Sequence, residues 1–316
     1  MKDDKNIAIV FPGQGSQRPG MGKDFHEQIP VCRETYEEAA DALGWDVSNM
    51  CFGEDEKLNL TEYTQPCIVT TEIAMLRGLS KRYGFASEYF GGHSLGEFTA
   101  LVAAGVMPLA ETLKIVQTRG KLMQEAVPVG VGGMAAIISE NIDIDILKKL
   151  MEDLPADVAN INSANQVVIS GELSALPEIE KRLTQTLGAE KPFRFIRLNV
   201  SAPFHSRLMK TIEKRFSDTL EKFGNNLKPQ NAHKVTSNFT GGFHSDDILG
   251  IREKLVNQLS NTVHWRENMQ SLAAKAEIIY EIGPGRPLRD FFKTIGVTCQ
   301  SITGVVAAEK IFSGSN

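Results

Sequence analysis

One passage constrains the fold more than any other: Tyr89-Phe90-Gly91-Gly92-His93-Ser94-Leu95-Gly96-Glu97, followed by a small-residue helical run over 98–105. A short aromatic strand ends in glycines, turns through one serine and becomes a helix. Gly92-His93-Ser94-Leu95-Gly96 has the G-x-S-x-G spacing of a nucleophile elbow. The spacing has a mechanical reason. A serine at so sharp a turn has strained backbone, and glycines two positions to either side leave room for the chain to cross itself. The hydroxyl then projects above the sheet, where the N-terminus of the next helix favours negative charge. A turn of this kind requires a buried strand feeding a helix, which is α/β architecture.

The flanking sequence agrees with that class. Residues 7–11 read as an apolar strand running into the loop Pro12-Gly13-Gln14-Gly15-Ser16-Gln17. Helices are expected over 31–43, over 65–82 with Pro66 in the first turn, and over 109–124. Alternation of this kind predicts a mostly parallel sheet. From residue 127 the pattern changes to strand 133–139, helix 144–153, strands 158–162 and 166–170, helix 176–187 and strand 193–200. That order, βαββαβ, is the ferredoxin-like unit. Beyond 200 the α/β character returns, with helices over 206–223 and 248–259 and an extended stretch at 234–238. A strand over 277–282 then enters Gly283-Pro284-Gly285, and residues 312–316 are expected to fray. The expected fold is therefore α/β. An α/β-hydrolase-like large subdomain with a parallel sheet core, residues 1–126 and 199–316, carries an inserted ferredoxin-like small subdomain, residues 127–198.

Composition narrows the setting. The 316 residues are 42% hydrophobic and 23% charged, ordinary for a globular protein that needs no metal or disulfide to stabilise its core. No apolar run approaches the ~20 residues of a membrane span, and the polar start lacks the apolar core of a secretory signal. Cys32, Cys51, Cys67 and Cys299 have no metal-ligand spacing and read as buried thiols in a reducing compartment. The net charge of −5 argues against nucleic-acid binding. A cytoplasmic monomer with no bound cofactor and no metal is the expectation.

Ser94 needs a base, because a serine hydroxyl is a weak nucleophile until its proton is taken. Of the six histidines, His205 is the best placed. It lies in Ser201-Ala202-Pro203-Phe204-His205-Ser206, where a strand gives way to a helix, and such loops display catalytic side chains. His93 neighbours Ser94 but points away from it on an elbow.

Taken in order, the motifs resemble the malonyl-CoA:acyl carrier protein transacylases, a family that includes the acyltransferase domains of polyketide synthases. The likeness runs almost end to end. It begins at Phe11-Pro12-Gly13-Gln14-Gly15-Ser16-Gln17 and continues through Gly92-His93-Ser94-Leu95-Gly96-Glu97 and Thr118-Arg119-Gly120. Asn162-Ser163 follows, with Gln166-Val167-Val168-Ile169-Ser170-Gly171, Ala202-Pro203-Phe204-His205-Ser206, Gln258-Leu259 and Gly283-Pro284-Gly285.

The resemblance implies Ser94 as nucleophile, His205 as general base, and Gln258 as the residue whose backbone carbonyl orients the imidazole. It implies an oxyanion hole from the N–H groups of Gln14 and Leu95, and Arg119 as the group that binds the malonyl carboxylate. Asn162 and Asn238 match positions lining the site. The chemistry suits these residue types. A guanidinium grips a carboxylate through two parallel hydrogen bonds that lysine cannot reproduce. Phe204, an aromatic just before the base, is expected to crowd the α-carbon and favour malonyl over methylmalonyl.

The implied partners are malonyl-CoA and an acyl carrier protein, and the implied pathway is fatty acid synthesis. A discrete acyltransferase serving a polyketide assembly line in trans uses the same chemistry. An acyl-thioester hydrolase is the further alternative, and Arg119 argues against it. Lys181, Arg182, Arg207, Lys210, Lys214 and Arg215 are expected to steer the acidic carrier into the groove between the subdomains.

Overall fold

The structure is a computed structural model and describes residues 6–188, 191–224 and 226–313. Among these residues eight strands are formed: β1 (Ile7–Phe11), β2 (Tyr89–Gly92), β3 (Gly132–Ile138), β4 (Ala156–Ser163), β5 (Gln166–Glu172), β6 (Arg194–Arg197), β7 (Ile278–Ile282) and β8 (Cys299–Ile302). They make two four-stranded sheets, one parallel in the order β2-β1-β7-β8 and one antiparallel in the order β4-β5-β3-β6.

The unbroken apolar run of β1 follows from burial on both faces, as parallel sheets require. Ile9 and Phe11 enter the main core beneath the Thr61–Tyr83 and Gly96–Ala103 helices, with Phe98, Leu101 and Met75. Ala8 and Val10 enter a second core with Trp265, Met269, Leu272, Leu288 and Phe292, carried by the Trp265–Ala273 and Pro287–Lys293 helices. Because β1 and β2 are adjacent and parallel, the loops leaving Phe11 and Gly92 emerge side by side. A crevice at the carboxyl ends of parallel strands is where α/β sheets bind ligands.

In the antiparallel sheet the two faces separate by the period-2 rule. Ala135 and Ile137 of β3 pack with Leu147, Ile179 and Leu183 of the Ile144–Leu150 and Leu176–Leu187 helices. Met134 and Ala136, on the opposite face, join the main core with Ala159 and Val168. The strand order is that of a ferredoxin-like unit, and its second face turns toward the large sheet's crevice. The unit is not free-standing. Val263 pairs alongside β4, with Ile161 N–H donating to the Val263 carbonyl at 3.0 Å and Val263 N–H to the Ala159 carbonyl at 2.8 Å.

Several expected elements differ in extent. The helix expected from residue 65 begins one turn earlier, at Thr61, and Pro66 sits inside it. It is tolerated early in a long helix that buries most of its surface, although it removes one hydrogen bond. The helix expected over 206–223 is a 3-10 turn, Arg207–Ile212, followed by the α-helix Glu213–Phe223. Residues 234–238 form no strand; single bridges tie Val235 to Phe90 and Thr236 to Phe243. Phe312 does not fray, since it stacks on Tyr83 with ring centroids 4.9 Å apart. The fraying expected for residues 314–316 lies outside the described residues. All four cysteines are buried and unpaired, and no helix among the described residues is long and apolar enough to cross a membrane.

Candidate active site

Ser94 occupies the turn between β2 and the Gly96–Ala103 helix with φ of 51°, a left-handed conformation costly for a non-glycine residue. The flanking glycines are required by contact. A Cβ on Gly92 would stand 2.0 Å from the Gly96 backbone, and one on Gly96 would stand 2.1 Å from the Phe11 carbonyl oxygen. Two carboxamides hold the strained turn. Ser94 N–H donates to Asn238 Oδ1 at 2.8 Å, and Asn238 Nδ2 donates to the Gly92 carbonyl at 2.7 Å. From the other side, Gln258 Nε2 donates to the Ser94 carbonyl at 3.0 Å.

His205, also left-handed with φ of 57°, places Nε2 2.7 Å from Ser94 Oγ and Nδ1 2.7 Å from the Gln258 carbonyl oxygen. The carbonyl can only accept, so Nδ1 carries the proton. The Nε2 lone pair of the neutral ring is then left for the Ser94 hydroxyl. Burial, first, and the Arg119 charge, second, push the His205 pKa down to about 3, against the opposing pull of the Gln258 carbonyl. The ring is therefore neutral and able to act as a base.

Arg119, on the Leu109–Glu125 helix, is 1% exposed. Its Nη1 donates to Gln65 Oε1 at 3.0 Å, and its Nη2 donates to Gln258 Oε1 at 2.9 Å and to Ser94 Oγ at 3.1 Å. The cation also lies 5.3 Å from the Phe98 ring centroid. Its Nε is buried without a partner, and no described carboxylate lies within ion-pair distance. Burial lowers its pKa to about 10, and Glu97 acts in the opposite direction. A cation held only by neutral acceptors is suited to receive a carboxylate from a ligand.

Glu97, fully buried, organises this arrangement from behind. Its Oε2 accepts from Gln258 Nε2 at 2.7 Å and from Asn238 N–H at 2.9 Å, while Oε1 stands 2.7 Å from His244 Nε2.

A cavity of about 840 Å³ opens between the two sheets, lined by Gln14, Ser94, Arg119, Asn162, Phe204 and His205. Met134, Ala136, Asn160 and Val168 of the antiparallel sheet form its far wall. The structure thus brings Ser94, His205 and Arg119 together on one cavity. Leu95 N–H and Gln14 N–H, on the adjacent β2 and β1 loops, donate to no described protein group. Asn162 lines the cavity and also meets His93, whose Nε2 lies 2.8 Å from Asn162 Oδ1. Asn238 stands elsewhere than expected. It lies behind the elbow, wholly buried and outside the cavity lining, because its carboxamide spans Ser94 and Gly92.

Sequence reasoning missed Glu97, His244 and Gln65 as parts of the site. Glu97 stands within a quoted motif, so the signal was a charged residue on an otherwise apolar helix. The proposed steering cations are mostly neutralised: Arg207 pairs with Asp157, Lys214 with Asp218, Lys181 with Glu178, and Arg182 with Asp153 and Glu178.

Residues 8–285 match the family model described as acyl transferase domain. The chain is 37% identical to the malonyl CoA-acyl carrier protein transacylase of Bacillus subtilis (strain 168), over 94% of this chain and 92% of that one. Among solved structures, the malonyl CoA-acyl carrier protein transacylase of Clostridium perfringens superposes with a TM-score of 0.89 at 35% identity, covering 98% and 96% of the two chains. A malonyl-transacylase solved in complex with its type II PKS acyl-carrier protein superposes with a TM-score of 0.87 at 34% identity, covering 98% and 100%.

Proposed function

The chain belongs to the acyl transferase domain family, and from that premise we propose that it carries a malonyl group from coenzyme A to the phosphopantetheine thiol of an acyl carrier protein, through a malonyl ester of Ser94. The observation that carries this reading is the position of Ser94 Oγ, 2.7 Å from His205 Nε2 and 3.1 Å from Arg119 Nη2. One oxygen meets both a base and an unpaired cation.

The transfer has two halves. His205 Nε2 takes the hydroxyl proton as Ser94 Oγ bonds to the thioester carbon. The carbonyl oxygen becomes an oxyanion facing the N–H groups of Leu95 and Gln14, each contributing roughly 2.7–4 kcal/mol. Collapse breaks the carbon–sulfur bond, and His205 returns its proton to the departing coenzyme A sulfur. In the second half His205 deprotonates the carrier's thiol, which attacks the ester, and the proton goes back to Ser94. The Gln258 carbonyl orients the imidazole throughout.

Arg119 supplies selectivity. A malonyl carboxylate gives the buried guanidinium a charged partner, worth about 1.5–3 kcal/mol, whereas an acetyl group leaves it without one. Phe204, on the cavity wall, limits the room beside the α-carbon. Residues 1–126 and 199–316 act as the catalytic subdomain, and residues 127–198 close the cavity over it.

Fatty acid synthesis is the pathway we favour. The complex of a similar transacylase with a type II PKS carrier favours a second reading, supply of a polyketide assembly line. Rates of malonyl transfer to a fatty-acid carrier and to a polyketide carrier separate the two. Parallel measurement of thioester hydrolysis tests the hydrolase alternative, which requires water to outpace the carrier thiol.

A further inference from the structure

Thr61 lies outside the cavity lining and belongs to none of the motifs above, yet three strips of the site meet at it. Its Oγ1 accepts from Gln14 Nε2 at 3.1 Å and lies 3.2 Å from Ser201 Oγ. Its backbone N–H donates to Gln124 Oε1 at 3.0 Å. Gln14 carries one of the two N–H groups assigned to the oxyanion, Ser201 stands four residues before His205, and Gln124 follows Arg119 on the same helix.

The third strip is pressed against Thr61 as well as bonded to it. A Cβ on Gly120 would stand 2.4 Å from the Thr61 carbonyl oxygen, so the residue after Arg119 must be glycine for the helices to approach this closely. Thr61 itself is fully buried, whereas Gln14 and Ser201 are exposed. The hydroxyl is therefore a buried point in the body to which two exposed loop residues are tied.

The Gln14 loop needs such a tie. Gly15 has φ of 101°, the loop is held locally by Ser16 N–H to the Gly13 carbonyl, and the Gln14 side chain makes its one described bond to Thr61. An oxyanion donor stabilises a transition state only if its N–H is already aimed before charge develops, and a misplacement near 1 Å costs about 100-fold.

We propose that Thr61 is a positioning residue, whose hydroxyl latches the Gln14 loop to the His205 loop and sets the aim of the Gln14 N–H. This rests on the reading of Ser94 as the acylated nucleophile with Gln14 in its oxyanion hole. Thr61→Val tests it, since valine keeps the shape and the released Gln14 and Ser201 side chains both reach water. The full chain is mixed with malonyl-CoA, and separately with acetyl-CoA, and Ser94 acylation is followed in a single turnover.

The latch predicts an acylation rate at saturation lower by about 10- to 100-fold for both acyl groups, since the oxyanion is common to them. KM should stay within about twofold, the melting temperature should be unchanged, and Thr61→Ser should recover most of the rate. Wild-type acylation with an unaltered Thr61→Val rate would overturn the latch, as would a loss confined to KM or one that follows a fall in melting temperature. Failure of the wild-type chain to acylate Ser94 refutes the underlying reading instead, so the two failures are distinct.

Discussion

The Gln258 carboxamide nitrogen donates to Glu97 Oε2 at 2.7 Å and to the Ser94 carbonyl at 3.0 Å, which turns the Gln258 oxygen toward Arg119, 2.9 Å away. Flipping the amide would set oxygen against two acceptors and N–H against the guanidinium. Glu97 thereby orients the acceptor that Arg119 holds when no carboxylate is present.

Replacement of Glu97 should separate hydrogen bonding from mere bulk. Glu97→Gln keeps an oxygen for Asn238 and Gln258, and His244 can offer its other tautomer to the new NH2 group. Glu97→Leu leaves those buried donors unpaired, each at about 1–3 kcal/mol. Acyl transfer is expected to stay within about 10-fold in the first and to fall about 100-fold, with lower denaturant resistance, in the second. Rapid-quench acylation and urea melts check this. Equal activities in the two variants would contradict it.

Arg119→Ala should reduce kcat/KM for malonyl-CoA by about 10- to 150-fold, the equivalent of one charge-assisted contact, and acetyl-CoA by much less. Arg119→Lys should not restore the preference, because an ammonium cannot present two parallel donors while also reaching Gln65 and Gln258. Competition between the two thioesters in one reaction measures the ratio directly.

The pH response follows from His205, whose folded pKa of about 3 lies below the ordinary value of 6.5. Only the neutral ring acts as base, so the acid limb of kcat/KM should lie well below that of a free imidazole. Burial is the larger cause and Arg119 the second, so Arg119→Ala should move the limb toward 6.5 without reaching it. Acetyl-CoA is the proper substrate for this profile, since its acyl group has no carboxylate that would itself titrate in the acid limb. The same depression acts on stability. As pH falls below about 6.5 the unfolded chain takes up a proton that the folded chain refuses, and stability drops by up to ~1.4 kcal/mol per pH unit until the folded pKa is reached.

Gly92→Ala should disable the elbow, since the new methyl meets the Gly96 backbone rather than a flexible side chain. A loss of about 1–3 kcal/mol in stability is expected, together with loss of Ser94 acylation. Thermal melts and mass spectrometry of the acylated chain check both.

What the sequence discloses depends on how locally each feature is encoded. The Ser94 elbow is local: strand, glycines, serine and small-residue helix are contiguous, and the structure keeps that order. The ferredoxin-like order of β3 to β6 is likewise legible, because β3 to β5 are short apolar runs bounded by polar turns and the Leu176–Leu187 helix buries one stripe, Leu176, Ile179 and Leu183. The Trp265–Ala273 helix was also encoded, with Trp265, Asn268, Met269 and Leu272 buried at helical spacing, but the polar residues between them hide the stripe. Glu97, His244, Gln65 and Thr61 are another matter. Each bonds to residues far away in the chain, and no periodicity records such a pairing. Asn238 shows the same limit, since a polar residue near a site reads alike whether it faces the cavity or braces the turn behind it.

The central claim concerns one covalent bond, and intact-mass measurement reads it most directly. The full chain is mixed with malonyl-CoA or with acetyl-CoA, quenched and digested. The account predicts a single malonyl adduct on the Ser94 peptide, absent in Ser94→Ala, with far weaker acetyl labelling. An adduct that persists in Ser94→Ala, or acetyl labelling equal to malonyl, would contradict it.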